Sequence, residues 1–366
     1  MNKLVVANLA QRPIRSLISI SAVALEVTMI LLIVSFFYGY LNGSKESQVG
    51  VGADLMVQPP GSSALVGVTG APIPAKVGGI LRKLPHVQAA APVIWWLSQK
   101  PLEIIYGIDL ASYDSIPPPF RYLSGGPFQQ PYDVIVDDFF AAMNKKKVGD
   151  SIEILNHTFR ICGIVPHGKG GRKFLPLATM QDLIGAENRV SVFYVKVDDP
   201  ANADLVVDEV KQVAGMENYA VRSMQEYLSM MTADNLPGFQ TAIRVVIGVA
   251  VIIGFLVIFQ SMYTAVMERT REIGILKSLG ASKAFIVNVV LRETALLAIV
   301  GVVAGIIISV VTRRVLIYER PVLHLFWSSE WVLRATLIAI TGSLLGALYP
   351  AYKAAQKDPI DALAYE

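Results

Sequence analysis

The 366-residue sequence predicts an α-helical membrane protein with four transmembrane helices and a large α+β domain inserted between the first and the second. Three observations carry that expectation. The chain is 53% hydrophobic and 17% charged, whereas soluble domains average roughly 25% charged. Four apolar runs are long enough to approach or exceed the ~20 residues that cross a hydrocarbon core of ~30 Å. A polar stretch, residues 42–240, separates the first run from the other three and is long enough to bury its own core.

The net charge of +3 conceals a split. Residues 42–240 hold 17 basic and 20 acidic side chains, a net of −3, while the remainder holds 15 and 9, a net of +6. Basic flanks on a membrane-embedded part and a mildly acidic water-exposed part account for this. The single cysteine, Cys162, allows no internal disulfide and no cysteine-based metal site. The first apolar run lacks a small-residue cleavage site, so no cleavable signal peptide is expected.

In chain order, Met1 to Ser16 carries Lys3, Arg12 and Arg15 around Pro13 and reads as an elbow entering the first span, Leu17 to Tyr40. Residues 1–41 thus form the first segment. Glu26 lies inside the span, where a charged carboxylate facing lipid costs several kcal/mol. It must therefore meet protein, with Arg292 as a partner to consider, carry a proton, or sit near enough to the interface to be hydrated. Within 42–240, Ala53 to Gln58, Val87 to Leu97, Leu102 to Tyr106, Ser151 to Leu155, Phe159 to Val165 and Val192 to Val197 read as strands. Ile73 to Leu84, Ala203 to Val213 and Met224 to Asp234 read as helices. Gly61 to Pro72 is loop by composition, and Pro117 to Pro119 with Gly125 to Pro127 marks an irregular connection. The region after Lys147 reads as a small β-rich subdomain with a turn at Asn156-His157.

Residues 241–366 supply the other spans: Ala242 to Val266, Thr294 to Val311 with a polar entry through Arg292 and Glu293, and Trp331 to Tyr349. Between the second and third lies an amphipathic segment, 267–283, too polar to cross a bilayer, which reads as a surface helix at the membrane–water boundary. Four spans put both termini on one side. The short segments there hold Lys3, Arg12, Arg15, Arg269, Arg271, Lys277, Lys283, Lys353 and Lys357, whereas the opposite short loop holds Arg313, Arg314 and Arg320. The positive-inside rule places the termini in the cytoplasm and the large domain outside.

Several patterns carry less. Gly301 with Gly305 and Gly342 with Gly346 are small-residue pairs suited to close helix packing in lipid. Lys169-Gly-Gly-Arg172 lacks the phosphate-loop pattern and reads as a solvated hairpin tip. Lys145, Lys146 and Lys147 read as a solvated turn. The histidines 86, 157, 167 and 324 show no metal-ligand spacing, and no Ser/His/Asp set stands out. Asn42-Gly-Ser and Asn156-His-Thr are glycosylation sequons by pattern alone. Trp95, Trp96, Phe139 and Phe140 read as core.

The segment Glu268-Arg-Thr-Arg-Glu-Ile-Gly-Ile-Leu-Lys-Ser-Leu-Gly280 resembles the signature of the FtsX-like permeases of ABC transporters, the family of the macrolide exporter and the lipoprotein-releasing permeases. The pattern E-R-x-R-E-I-G-x-L-x-A-x-G is met at every fixed position except Ser278, where alanine is usual. Arg12-Pro-Ile-Arg-Ser16 resembles the family's elbow. Gly52-Ala-Asp-Leu-Met-Val57, Val148-Gly-Asp150 and Phe159 to Val165 resemble its MacB-like periplasmic core domain. Pro350 to Ala355 and Asp358 to Leu363 resemble its C-terminal ending.

The resemblance implies an inner-membrane permease subunit, two of which form a homodimer or heterodimer, with a periplasmic adaptor as a further partner and no nucleic acid. It implies a separate cytoplasmic ATP-binding subunit, since no Walker motif occurs in this sequence. ATP and Mg would then be held by that partner, with no cofactor on this chain. The partner would dock on Glu268, Arg269, Arg271, Glu272, Ile273, Gly274, Leu276, Lys277 and Gly280. On one continuous helix Glu268 and Glu272 would be i,i+4 neighbours, and Ile273, Leu276 and Gly280 would share a stripe fit for a partner's groove. Nucleotide-driven closure would move the outer domain and export or extract lipids, lipoproteins, peptides or hydrophobic compounds. The alternative is an ATP-driven signalling scaffold that controls cell-wall hydrolases.

Overall fold

The computed structural model describes residues 13–62, 72–99, 102–235, 238–319 and 325–357. Lys3, Arg12, most of the Gly61–Pro72 loop, Arg320, His324 and Asp358 to Leu363 lie outside the described residues. The chain divides into a helical unit, up to Gly39 and again from Gly238, and a second unit spanning Tyr40–Pro237.

Helix α1 (Pro13–Val51) is 39 residues long, about four turns longer than the predicted span. Asn42 and Gly43 do not stop it. It stops where Gly52 takes a φ of +87°, a left-handed conformation that glycine adopts without steric cost.

The second unit runs β1 (Leu55–Gln58), β2 (Ile73–Pro74), α2 (Val77–Leu81), β3 (Val87–Gln99), β4 (Leu102–Ile108), α3 (Leu110–Asp114), β5 (Ser124–Gly125), β6 (Asp133–Asp137) and α4 (Asp138–Met143). It continues through β7 (Ser151–Ile154), β8 (His157–Val165), β9 (Lys173–Pro176), α5 (Leu177–Leu183), β10 (Arg189–Val190), β11 (Val192–Val197), α6 (Ala203–Gln212), β12 (Ala220–Ser223) and α7 (Met224–Met230). Aspartates and a serine start three of the helices. Asp109 accepts from the Ser112 amide, Asp137 from that of Phe140 and Ser223 from that of Glu226.

The sheet order is β12-β1-β11-β3-β4-β9-β6-β8-β5, with β7 paired to β8. This corrects the expectation of a small, distinct β-rich subdomain. The four residues of β9 run parallel to β4 and antiparallel to β6, joining both halves into one ten-stranded sheet. Lys-Phe-Leu-Pro has too short a pattern to announce that role. The β7–β8 hairpin turns at Leu155 and Asn156, both with positive φ, one residue earlier than expected. Alternate strand residues such as Leu55, Val57, Ile94, Val134, Val136, Phe159 and Phe193 form the core beneath α2, α5 and α6. Trp95 and Phe140 are buried, and Trp96 packs against that core.

Residues 168–172 are not a solvated tip. Lys169 is 8% exposed, with its ammonium over the rings of Tyr113 (5.3 Å) and Phe120 (5.6 Å) and 3.5 Å from the carbonyls of Val51 and Ile116. Gly170 and Gly171 lie so close to the Tyr106 ring that a Cβ on either would stand 2.6–2.8 Å from it. A long aliphatic stem and aromatic faces let a cation be buried where charge alone argues for solvent. Lys145 to Lys147, by contrast, form a turn at the surface.

The helical unit adds α8 (Phe239–Glu268), α9 (Thr270–Ser278), α10 (Lys283–Glu319) and α11 (Ser329–Gln356). The helices α1, α8, α10 and α11 are long and apolar enough to cross a membrane. Gly301 and Gly305 of α10 abut Val23, Val27 and the carbonyls of Ile20 and Ala24 on α1, and the Thr28 hydroxyl donates to the Gly305 carbonyl at 3.1 Å. Gly346 abuts the Phe255 carbonyl of α8, and Gly342 faces Val251. Ser19 and Ser261 share a buried hydrogen bond of 2.6 Å between α1 and α8.

Burial lowers the Lys169 pKa to about 8 from an ordinary 10.5. Between those two values the unfolded chain binds more protons than the folded one, so this group makes stability rise with pH across that window. We expect Lys169→Met to raise the melting temperature at pH 7 and to flatten the rise between pH 8 and 10.5. Emission from Trp95 and Trp96, with Trp327 and Trp331 replaced by Phe, follows the transition.

Candidate functional site

The charged segment after the second span is two pieces. Arg269, at φ −105° and ψ 17°, breaks the path between α8 and α9. The Thr270 hydroxyl reinforces the break by donating back to the carbonyls of Val266 (3.2 Å) and Met267 (2.8 Å), a local side-chain bond that competes with helix continuation. Glu268 therefore closes α8, and the expected i,i+4 relation of Glu268 and Glu272 on one helix over 267–283 does not hold. At the other end Gly280 takes φ +94°. Its amide donates to the Lys277 carbonyl and that of Ala281 to the Leu276 carbonyl, both at 3.0 Å. That pair of bonds is the Schellman ending, which needs a left-handed residue where Gly280 stands.

This geometry sets which side chains α9 presents. Thr270 and Gly274 are buried, and Ile273 and Leu276 pack into the core of the helical unit itself. Of the stripe read as partner-facing, Ile273 and Leu276 are thus half-buried against the bundle, while Gly280 is exposed. The outward apolar groups are Ile275, 44% exposed, and Leu279, 80% exposed, beside exposed Arg271 and Glu272.

Polar contacts tie the segment to every spanning helix. Arg15 of α1 pairs with Glu268 at 3.1 Å and lies 3.8 Å from Glu293 of α10. Arg269 pairs with Glu293 at 2.6 Å. Lys277 donates to the Ala355 carbonyl at 3.0 Å and to that of Lys357, so it caps the C-terminal end of α11 where helix carbonyls lack partners. Lys353 of α11 reaches the Tyr263 hydroxyl of α8 at 3.2 Å. Glu293 is 2% exposed, and removing one partner of a buried pair costs about 3–5 kcal/mol by leaving a charge uncompensated.

Glu26 does not meet Arg292. The Arg292 guanidinium bonds the Asn288 side chain at 3.1 Å on an exposed face, while Glu26 is buried with its carboxylate against the Cα of Gly254. Successive helix residues point about 100° apart, so with Glu293 directed inward its neighbour Arg292 is carried away. Arg15 and Glu293 are members of the site that spacing alone did not single out; Glu293 at the mouth of an apolar run was the available signal. Among the described residues of the second unit, His86 pairs with Asp198 at 2.8 Å and His167 with Asp138 at 3.0 Å, and no group of three or more His, Cys, Asp or Glu side chains could hold a metal ion.

The profile of the MacB-like periplasmic core domain matches residues 16–213, and that of the FtsX-like permease C-terminal domain matches residues 244–359. The macrolide export ATP-binding/permease protein MacB of Rhodopirellula baltica is 30% identical over 184 residues, 47% of this chain and 26% of that protein. An uncharacterized ABC transporter permease of Methanocaldococcus jannaschii is 24% identical over 234 residues, 60% of this chain and 58% of that one. The aligned stretches thus span between 26% and 58% of those relatives' lengths. Among solved structures, the periplasmic region of MacB from Actinobacillus actinomycetemcomitans aligns with a TM-score of 0.39 at 16% identity, over 52% of this chain and 97% of that one. With the first profile on the inserted domain and the second on the three-helix remainder, the chain belongs to the FtsX-like permeases of ABC transporters that carry a MacB-like periplasmic core domain.

Proposed function

We propose that this chain is the membrane subunit through which a cytoplasmic ATPase drives movements of the extracytoplasmic domain. The observation that carries this reading is the attachment of residues 268–280 to all four spanning helices while Ile275 and Leu279 stay exposed. A force applied to α9 reaches α8 through the backbone, α1 through Glu268–Arg15, α10 through Arg269–Glu293 and α11 through Lys277. The exposed apolar pair suits a groove on an ATP-binding subunit, with Arg271 and Glu272 at the rim.

In this reading ATP and Mg are bound by that subunit, outside these 366 residues. The termini face the cytoplasm with the basic segments, a second permease subunit completes the assembly, and a periplasmic adaptor receives the cargo. The cargo is a lipid, lipoprotein, peptide or hydrophobic compound drawn from the outer face of the membrane. α9 is the input of the device, and the inserted domain is its output.

Leu279→Asp places a charge on the exposed apolar group that directly follows α9. We expect at least a tenfold loss of co-purifying ATP-binding subunit, with unchanged permease abundance in the membrane. Recovery equal to the wild type would overturn the docking assignment. Leu276→Asp, which faces the helical core, should instead lower the permease's own abundance. For the ion pairs, Glu293→Gln should destabilise the chain by about 3 kcal/mol, since it strands the half-buried guanidinium of Arg269. Glu330→Gln, which removes a surface pair with Arg334, should cost under about 1 kcal/mol. Melting temperatures of both variants in nanodiscs make the comparison.

A further inference from the structure

The last turns of α1 are held inside the soluble unit by a collar that the proposed coupling has not yet used. The Tyr194 hydroxyl donates to the Gln48 side-chain oxygen at 2.7 Å, and the Gln48 amide donates to the Tyr106 hydroxyl at 3.2 Å. The Gly170 amide donates to the Ser47 carbonyl at 2.9 Å. The Tyr113 hydroxyl holds the Lys169 carbonyl at 2.9 Å, and the Lys169 ammonium in turn lies against the Val51 carbonyl. Two glycines of α1's end admit no side chain: a Cβ on Gly50 would strike the Gly168 carbonyl, and one on Gly52 the Pro117 carbonyl. The tyrosines are fully buried in one aromatic cluster with Trp95 and Phe174. The chain's return to the membrane has no such continuity. α7 stops at Met230, residues 231–235 are not helical, and α8 begins only after Gly238 at φ +77°.

We infer that Gln48, Gly50 and the Tyr106–Tyr194–Lys169 collar lock the end of α1 into the domain, so that α1 and not the return connection transmits motion to it. A helix carries torque because each turn is hydrogen-bonded to the next, and a collar that engages side chain, amide and carbonyl together prevents rotation within the socket. A connection interrupted by non-helical residues passes on position without twist. These are positioning residues, and the inference rests on the coupling reading above.

The test uses the full permease with its ATPase in nanodiscs, with energy-transfer labels at Glu153→Cys and Glu330→Cys. Cys162 is buried, and its thiol is pushed up to about 12, so it stays unlabelled. In the parent, ATP should shift transfer efficiency. Gln48→Leu and Gly50→Ala should each cut that shift at least threefold while ATPase activity stays within twofold. A Gly-Ser insertion after Asp234 should leave the shift intact. Should Gly50→Ala fail to fold, the near-isosteric Gln48→Leu still decides. A parent shift that survives Gln48→Leu, or is abolished by the insertion, overturns the inference alone. A parent with no ATP response overturns the coupling reading and this inference with it.

Discussion

Glu293 is a carboxylate with almost no access to water inside α10, where the helix's apolar run begins, and its pairing constrains the helices around it. A charge in such a place is tolerated only with a partner of opposite sign in good geometry. The Arg269 guanidinium supplies that partner, and it can do so because the backbone breaks at Arg269, which frees it from the α8 register. The break in turn fixes the rotational phase of α9. The outward face of α9 and the bundle's internal electrostatics are therefore one problem with one solution.

The same logic explains why Ile275 of α9 and Leu279 just beyond it are left exposed. α9 has to bury Ile273 and Leu276 to stay on the bundle, and it is pinned at both ends by Arg269 and Lys277. Ile275 lies about 160° from Ile273 and about 100° from Leu276, so it is turned away from the face that those two present to the bundle. Close backbone contact at Gly301, Gly305 and Gly346 then holds the bundle together where hydrophobic association has no force in lipid.

In the second unit a comparable tension sits at Lys169. Burying the ammonium disfavours the charged form, an effect that the Asp114 carboxylate only partly offsets, yet the lysine occupies the collar around the end of α1. Aromatic faces and helix-end carbonyls recover part of that cost.

Much of the architecture was legible in the amino-acid order. Runs such as Leu17 to Tyr40 had to form membrane-crossing helices, because no other element satisfies its backbone in lipid. Alternating stretches such as Val192 to Val197 had to be strands, and Glu268 to Gly280 carried its resemblance in its own residues. The positive φ required of Gly280 is local as well. Contacts between distant segments were decided elsewhere. The sequence marks Glu26, Arg292 and Glu293 as polar groups near lipid but does not say which faces inward, since a rotation of about 100° separates neighbours and only packing sets the phase. Likewise the four residues of β9 and the buried Lys169 have no local signal strong enough to betray them. Their roles come from strands and rings far away in the chain, and only the tertiary structure brings those together.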